Sequence, residues 1–365
     1  MSTKLQTVSR LDLVWDTYLA NSSKGSTRAK RGQGVRRRVV AAATIPGNWQ
    51  NFLRVDSNKT ELFRFLSAAV MEWFDQEDKE LVITDGEAVL SKPILPDLTS
   101  LAPCNHEGAD SRMLLHASHA AQHGHHAIPI RTVDTDVVVL AVSLAQELQP
   151  EDKLWLAFGT GERFRYLAAH EIAAGLGREK AHALPMFHAL TGCDTVSSFA
   201  TRGKKTAWAV WTVLPELTEA LLLLSSAPHD IPDDAMRIIE RFVILLYDRT
   251  SKYTDIDKAR RKPFARKNNV ASLQPRQLWR NMSRGQCIKV WGQILKPAPE
   301  LPPPTNWGWS RTGQYTPYWT RLPEAAHSCI ELVSCKCKKG CVRLCKCKKA
   351  DLQCTALCVC EGYCT

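Results

Sequence analysis

The chain has 365 residues, 44% of them hydrophobic and 23% charged, which excludes a wholly disordered protein and suits two or three domains with real cores. Its net charge of +11 is concentrated in two acid-free stretches, one holding Lys24, Arg28, Lys30, Arg31, Arg36, Arg37 and Arg38, the other Lys336, Lys338, Lys339, Arg343, Lys346, Lys348 and Lys349. Without these fourteen, 34 basic residues face 37 acidic ones. Concentrated Lys and Arg suit phosphate backbones, whose counterions they release; for either cluster alone the alternative is a solvated face. The longest apolar runs, Val137–Val142 and Ala220–Leu224, fall far short of the roughly 18 residues of a membrane span. The first residues carry no secretory apolar core. A nuclear or cytoplasmic protein, not a secreted or membrane one, is expected.

In chain order, Arg10–Trp15 reads as a strand ending at Asp16, followed by the basic stretch and an apolar run, Val39–Ile45. Apolar residues at Leu62, Phe63, Leu66, Ala69, Val70 and Trp73 predict a helix over Thr60–Phe74. Leu81–Thr84 and Ala88–Leu90 flank Asp85-Gly86 and predict a hairpin. Glu107–His123 has helical spacing, Ala127–Thr132 is a strand, and Val137–Glu147 is the helix after it. Leu154–Phe158 and Phe164–Leu167 form a second hairpin around Gly159-Thr160-Gly161. Helices then dominate: His182–Leu190, Lys205–Val213, Glu216–Leu224 and Ala235–Asp248. Alternating strands and helices argue for an α/β body with a largely parallel sheet, whose chemistry sits beyond the carboxyl ends of the strands. Residues 1–295 make this body, 296–328 a Pro- and Trp-rich linker whose aromatics pack on it, and 329–365 a cysteine module.

Asp16, Asp134 and Asp136 fall at strand ends, Glu107 and Asp110 share a helix face, and Asp194 follows Gly192-Cys193. Neighbouring carboxylates at a strand end repel unless a cation neutralises them, and Mg²⁺ or Mn²⁺ takes such oxygens. For any one of these acids, a helix cap is an equal alternative.

The order Leu13-Val14-Trp15-Asp16, Glu107-Gly108-Ala109-Asp110, Asp134-Thr135-Asp136 and Gly192-Cys193-Asp194 resembles the PIN-like, flap-endonuclease superfamily over Leu11–Val210. The resemblance implies a three-layer α/β sandwich with a mainly parallel sheet. It implies a two-metal Mg²⁺ or Mn²⁺ site held by Asp16, Asp110, Asp134, Asp136 and Asp194, and cleavage of DNA or RNA phosphodiesters. The first Glu of the family's Glu-Ala-Glu falls on Gly108 here, with Glu107 beside it, and the family's first strand with its Asp has no counterpart before Asp16. Thr201-Arg202-Gly203-Lys204-Lys205-Thr206 stands where the family has a phosphate-binding element, which implies that Gly203, Lys204 and Lys205 contact nucleic acid. Lys24–Arg38 stands where the family grips DNA.

Ten of the thirteen cysteines lie in the last 37 residues. From Cys335 the spacing runs through Cys337, Cys341, Cys345, Cys347, Cys354, Cys358, Cys360 and Cys364. Dense cysteines without a secretion signal point to metal rather than disulfides, and the odd count agrees. Nine thiolates leave one over from two tetrahedral zincs, but with three bridging they supply three zincs with four sulfurs each. The spacing resembles tesmin-type CXC domains, which implies three zincs and DNA contact through Lys338, Lys339, Lys348 and Lys349. Cys329 is read as a packing residue. Body and tail together are similar to a group of multicopy animal proteins.

His116, His119, His123, His125 and His126 are expected to form a solvated or partly packed stripe, and Cys193 to be buried rather than nucleophilic. There is no P-loop, hydrolase elbow or zinc-protease motif. The leading expectation is a metal-dependent, structure-directed nuclease with a zinc-bound DNA-contacting tail. The alternative is a catalytically inactive nucleic-acid-binding protein of mobile-element origin, and the third reading is a protein-interaction adaptor.

Overall fold

The computed structural model of the chain describes residues 7–19, 28, 32–193, 198–199, 201–226, 232–256, 259, 291–300, 309–312 and 314–317, and in the tail 335, 337, 345–349, 354 and 358–360. The chain divides into two units, Met1–Pro317 and Tyr318–Thr365, the division falling inside the Pro- and Trp-rich stretch.

Strand β1 (Arg10–Leu13) pairs in parallel with β2 (Glu80–Asp85), which turns back through two residues into β3 (Ala88–Lys92). The alternation of β1 sends Leu11 and Leu13 to one face and Arg10 and Asp12 to the other. Between β1 and β2 run α1 (Trp49–Leu53) and α2 (Asp56–Trp73). Helix α2 covers the leucine face, where Leu81, Ile83 and Phe74 are buried with Leu11, Leu13, Trp15, Val70 and Met71. Trp15 stacks on Phe63 of α2 with ring centroids 4.8 Å apart.

The second half repeats this plan. Strand β4 (Ala127–Thr132) pairs in parallel with β5 (Lys153–Phe158) across α4 (Thr135–Leu144), and β5 pairs antiparallel with β6 (Arg165–Ala168). Every second residue of β4, Ile128, Ile130 and Thr132, is buried, as period-2 patterning requires of a sheet with one covered face. Helices α5 (Ala169–Leu176) and α6 (Arg178–Leu190) follow, then α7 (Lys204–Val213), α8 (Leu217–Ser225) and α9 (Asp233–Tyr247). The last four build a core of their own, with Phe187 of α6 stacked on Trp211 of α7 at 4.6 Å and edge-on to Phe242 of α9 at 6.4 Å. Strands β7 (Trp309–Thr312) and β8 (Gln314–Pro317) form a hairpin, and the tail has one short helix, α10 (Lys346–Lys349). Among the described residues no single helix is long and apolar enough to cross a membrane.

The protein is thus mixed α/β, but the strands form two three-stranded sheets, β1-β2-β3 and β4-β5-β6, rather than one mainly parallel sheet. Each holds one parallel pair. The connections at Gly86-Glu87 and at 159–164 are too short for a crossover, so each second pair must be antiparallel.

Helix α3 (Ala109–Gln122) is the wall shared by both halves. Its Leu114, Ala117, Ala120 and Ala121 enter the core of β4 and β5, while Leu115 packs with Val82, Leu101 and Cys104 against the first sheet. The histidine stripe, expected to be solvated or partly packed, divides: His123 and His126 are exposed and His125 half-buried, while the inner face of α3 is buried. Arg112, His116 and His119 are 1%, 3% and 1% exposed, because they face the polar side of β1. There Arg10 binds Asp12 through Nε at 2.8 Å and NH2 at 2.9 Å, and His116 Nδ1 lies 2.7 Å from Asp12 Oδ1. Arg10 NH1 is 3.0 Å from His119 Nδ1, and Arg112 donates to the carbonyls of Gly86 and Ala88 at the β2–β3 turn. His119 stacks on His123 at 4.0 Å, His125 pairs with Glu80 at 3.3 Å, and His126 with Asp152 at 2.7 Å.

Burial alone would raise the Asp12 carboxyl, but the hydrogen bonds from His116 and Arg10 hold it below its ordinary 3.8. A carboxyl depressed on folding stabilises the protein above its unfolded pKa and ceases to do so as pH falls through the folded value. Asp12→Ala, which leaves the buried Arg10 only Glu80 at 3.9 Å, is expected to cost about 3 kcal/mol at neutral pH. Urea unfolding should show the gap to the unaltered protein closing as pH falls below about 4.

Candidate functional site

Beyond the end of β1, Asp16 lies against the start of α3. Asp16 is exposed, and its Oδ1 accepts from the backbone N–H of Ala109 at 2.8 Å, while Tyr18 donates to Oδ2 at 3.3 Å. Burial first, and then the Asp16 carboxylate, push the Tyr18 phenol well above its ordinary range. Arg28 closes the group: NH1 donates to Glu107 Oε1 at 2.6 Å, Nε lies 2.9 Å from Asp56 Oδ2, and Lys59 sits 3.9 Å over the Tyr18 ring. Asp110 occupies the first turn of α3.

Asp134 and Asp136 stand at the corresponding end of β4. Ser9 Oγ lies 3.2 Å from His125 Nδ1, so β1 and β4 begin side by side. Helix α3 spans 14 residues, about 21 Å, and the six residues of β4 about 20 Å, which returns Asp134 toward the end where α3 starts. Asp134 is the N-cap of α4, its Oδ1 accepting from Asp136 N at 2.8 Å, so the cap alternative describes its geometry. Asp136 accepts from His188 Nε2 at 2.8 Å.

Neighbouring acids at strand ends need neutralising, and here helix N-termini, Arg28 and His188 do it. Among the described residues of the body, no three carboxylate, histidine or cysteine ligand atoms lie within 4.8 Å of one another. The described acids of the body are thus not gathered into one tight ligand group. Asp194 lies outside the described residues. Its neighbour Gly192 adopts φ +100°, and a Cβ there would meet Ser198 at 2.6 Å, so only glycine fits this turn.

The basic residues divide in the same way. Arg36 pairs with Glu61 and donates to Asn58 Oδ1 at 3.0 Å, whereas Arg37 and Arg38 lie exposed. Lys24, Lys30 and Arg31 lie outside the described residues. Gly203 is the N-cap of α7 and Lys205 is exposed. Lys204 turns inward, its ammonium donating to the carbonyls of His188 and Gly192 at 3.0 and 2.6 Å and to Thr191 Oγ1 at 3.0 Å. It caps the C-terminus of α6, where a cation is favoured, and burial lowers its pKa.

In the tail, the sulfurs of Cys335, Cys345, Cys347 and Cys354 lie within 4.8 Å of one another, and so do those of Cys335, Cys354, Cys358 and Cys360. The separations Cys335–Cys354, Cys335–Cys360, Cys345–Cys354 and Cys347–Cys358 are 3.8, 3.6, 4.0 and 3.6 Å. A zinc–sulfur bond of about 2.3 Å gives a tetrahedral edge of about 3.8 Å, so these sulfurs suit zinc. Cys335 and Cys354 belong to both groups, which is the sharing a cysteine-poor multinuclear site needs. The Cys335 N–H lies 3.4 Å from Cys358 Sγ, and Val359 N–H donates to the Cys335 carbonyl at 3.0 Å, joining the two ends of the module. Burial first, and then the hydrogen bond with Cys358, push the Cys347 thiol up to about 11, so metal entry must displace protons. Cys337 packs against this cluster. Cys341, Cys364, Lys338 and Lys339 lie outside the described residues, as do Lys336 and Cys329. Lys348 is exposed, one residue after the buried Cys347.

No protein-family model, no curated protein and no solved structure matches the chain.

Sequence reasoning passed over Arg10, Asp12, Asp56 and His188. The signal for the first two was a charged pair at alternate positions of an apolar strand; for His188 it was a lone polar residue in the apolar run 183–190. Zinc loading of the full chain, read by native mass spectrometry, is expected to give at least two ions. Cys335→Ser or Cys354→Ser should lower occupancy at both sites and Cys347→Ser at one.

Proposed function

We propose that the protein binds nucleic acid, through a zinc-organised tail and an arginine-rich segment carried on an α/β body. The observation that carries this reading is the alternation in the tail: Cys345 and Cys347 turn buried sulfurs into the metal-binding groups, while Lys346, Lys348 and Lys349 share the same short helix and Lys348 stands in solvent. Zinc there supplies folding energy that a module of this size lacks, and so fixes the spacing of its lysines. Phosphate contacts of this kind give sequence-independent affinity that falls steeply with salt. In the body, the described residues Arg36, Arg37, Arg38, Lys204 and Lys205 are exposed in the two segments read as nucleic-acid contacts, Arg36 being paired with Glu61 and Lys204 with the end of α6.

The body's described acids are answered by the protein's own donors, which supports binding over cleavage. A second reading, a PIN-like Mg²⁺- or Mn²⁺-dependent nuclease using Asp16, Asp110, Asp134, Asp136 and Asp194, draws on the position of Asp16 and Asp134 beyond parallel strands β1 and β4. Incubating labelled flap, single-stranded and duplex DNA with either metal separates the two. The binding reading expects retention without cutting, at an affinity unchanged in a double Asp134→Asn, Asp136→Asn variant. Metal-dependent cutting that disappears in the variant would replace it with the nuclease reading.

A further inference from the structure

The β4-β5-β6 sheet has one face buried and one open. Cross-strand partners share a face, so the registers Pro129–Trp155–Ala168 and Arg131–Ala157–Tyr166 put Arg131, Trp155 and Tyr166 on the side opposite Ile128, Ile130, Leu154 and Leu156, which enter the core. Phe164 and Tyr166 are 40% and 57% exposed, meeting edge to face at 5.2 Å. The Arg131 guanidinium lies 5.2 Å over the Phe164 ring, and its NH1 donates to the Ala157 carbonyl at 2.7 Å, which fixes it there. Arg163 is exposed in the same turn, with Glu162 beside it, whereas Arg165 pairs across the strands with Phe158 and lies 5.6 Å over that ring, on the other face. The arrangement is built by the Gly159-Thr160-Gly161 connection. Gly159 has φ +86°, and a Cβ would fall 2.5 Å from the Arg163 carbonyl oxygen, so the glycine lets the chain fold back and deliver Phe164 over the sheet.

We propose that this open face, with Phe164, Tyr166 and Arg131 at its centre, the half-buried Trp155 alongside with His170 edge-on to it, and Arg163 at its edge, is a stacking surface for a single-stranded nucleic acid. Exposed rings on a rigid sheet accept bases regardless of sequence, because every base has a π face, and arginines serve both as phosphate contacts and as stacking planes. The excess of arginine over acid favours a polyanion over an apolar protein partner. Stacking needs unpaired bases, so the face discriminates strand class, which a lysine-studded tail alone does not. The inference rests on the nucleic-acid reading above and adds to it a second contact site.

The test uses the full zinc-loaded chain and fluorescence anisotropy with labelled oligo-dT and a duplex of equal length. Phe164→Ala and Tyr166→Ser are each expected to weaken oligo-dT binding by about tenfold. Duplex affinity should stay put, which also shows that the variants are folded, and Tyr166→Trp should keep oligo-dT affinity. If the unaltered protein binds oligo-dT and the ring variants bind it equally well, or lose oligo-dT and duplex alike, the stacking face is wrong while nucleic-acid binding stands. If the unaltered protein binds neither probe, the nucleic-acid reading itself falls. Sedimentation analysis adds one more outcome: a dimer that the ring variants dissociate, at unchanged oligo-dT affinity, would make this a self-association face and overturn the proposal.

Discussion

The body is organised around a charge taken out of water. Arg10, its side chain 3% exposed, is held by Asp12 on the same strand and by Glu80 at 3.9 Å, and Asp12 also meets His116; a buried cation is tolerable only while an anion is in place. Helix α3 therefore cannot slide along β1 without breaking the His116–Asp12 and Arg10–His119 contacts. The same helix presents Leu114, Ala117 and Ala120 to the second sheet, so fixing α3 fixes both halves. Arg112 extends the constraint to the β2–β3 turn by taking up two carbonyls there. Burial keeps His119 below its ordinary pKa, so it meets Arg10 as a neutral ring rather than as a competing cation.

Electrostatics in body and tail are solved in opposite ways. In the body, helix N-termini, Arg28 and His188 meet the acids, and Lys204 meets the carbonyl end of α6. Asp16, Glu107, Asp134 and Asp136 each have a nearby donor: the Ala109 N–H, Arg28, the Asp136 N–H and His188. The charge balance of the tail is the reverse: between its cysteines stand Lys336, Lys338, Lys339, Arg343, Lys346, Lys348 and Lys349 against only Asp351 and Glu361, so like charges repel one another. A set of clustered thiols among cations gains little by folding until a metal draws off their protons and holds four sulfurs together. Zinc chemistry and basic charge are thus coupled in the tail.

Most elements were legible because their signals are local. The period of 2 in Ala127–Thr132, the helical spacing around Leu62–Trp73 and the Asp85-Gly86 turn depend on neighbours in sequence, and β4, α2 and the β2–β3 hairpin stand where those signals put them. The tail cysteines were legible because spacing alone implies a metal, and their sulfurs do gather. What escaped was anything decided by partners distant in sequence. Which histidines of a solvated or partly packed stripe would pack was not legible: His116 is buried because Asp12, 104 positions away, faces it. Lys204 reads as a phosphate ligand until α6 ends beneath it. Short helices with weak spacing, α1 and α5, left no comparable mark, and the division into two sheets depends on turn lengths that the strand pattern does not weigh.

The most direct test of the central claim, that a zinc-organised tail supplies the phosphate contacts, is the salt dependence of DNA affinity with and without metal. For the zinc-loaded chain, log affinity against log salt is expected to fall with a slope of several units, one phosphate contact contributing about 0.9 for duplex DNA. Stripping zinc with a chelator should flatten that slope by the tail's share and restoring zinc should recover it. An identical slope and affinity in the two states would contradict the claim and leave nucleic-acid contact, if any, to the body.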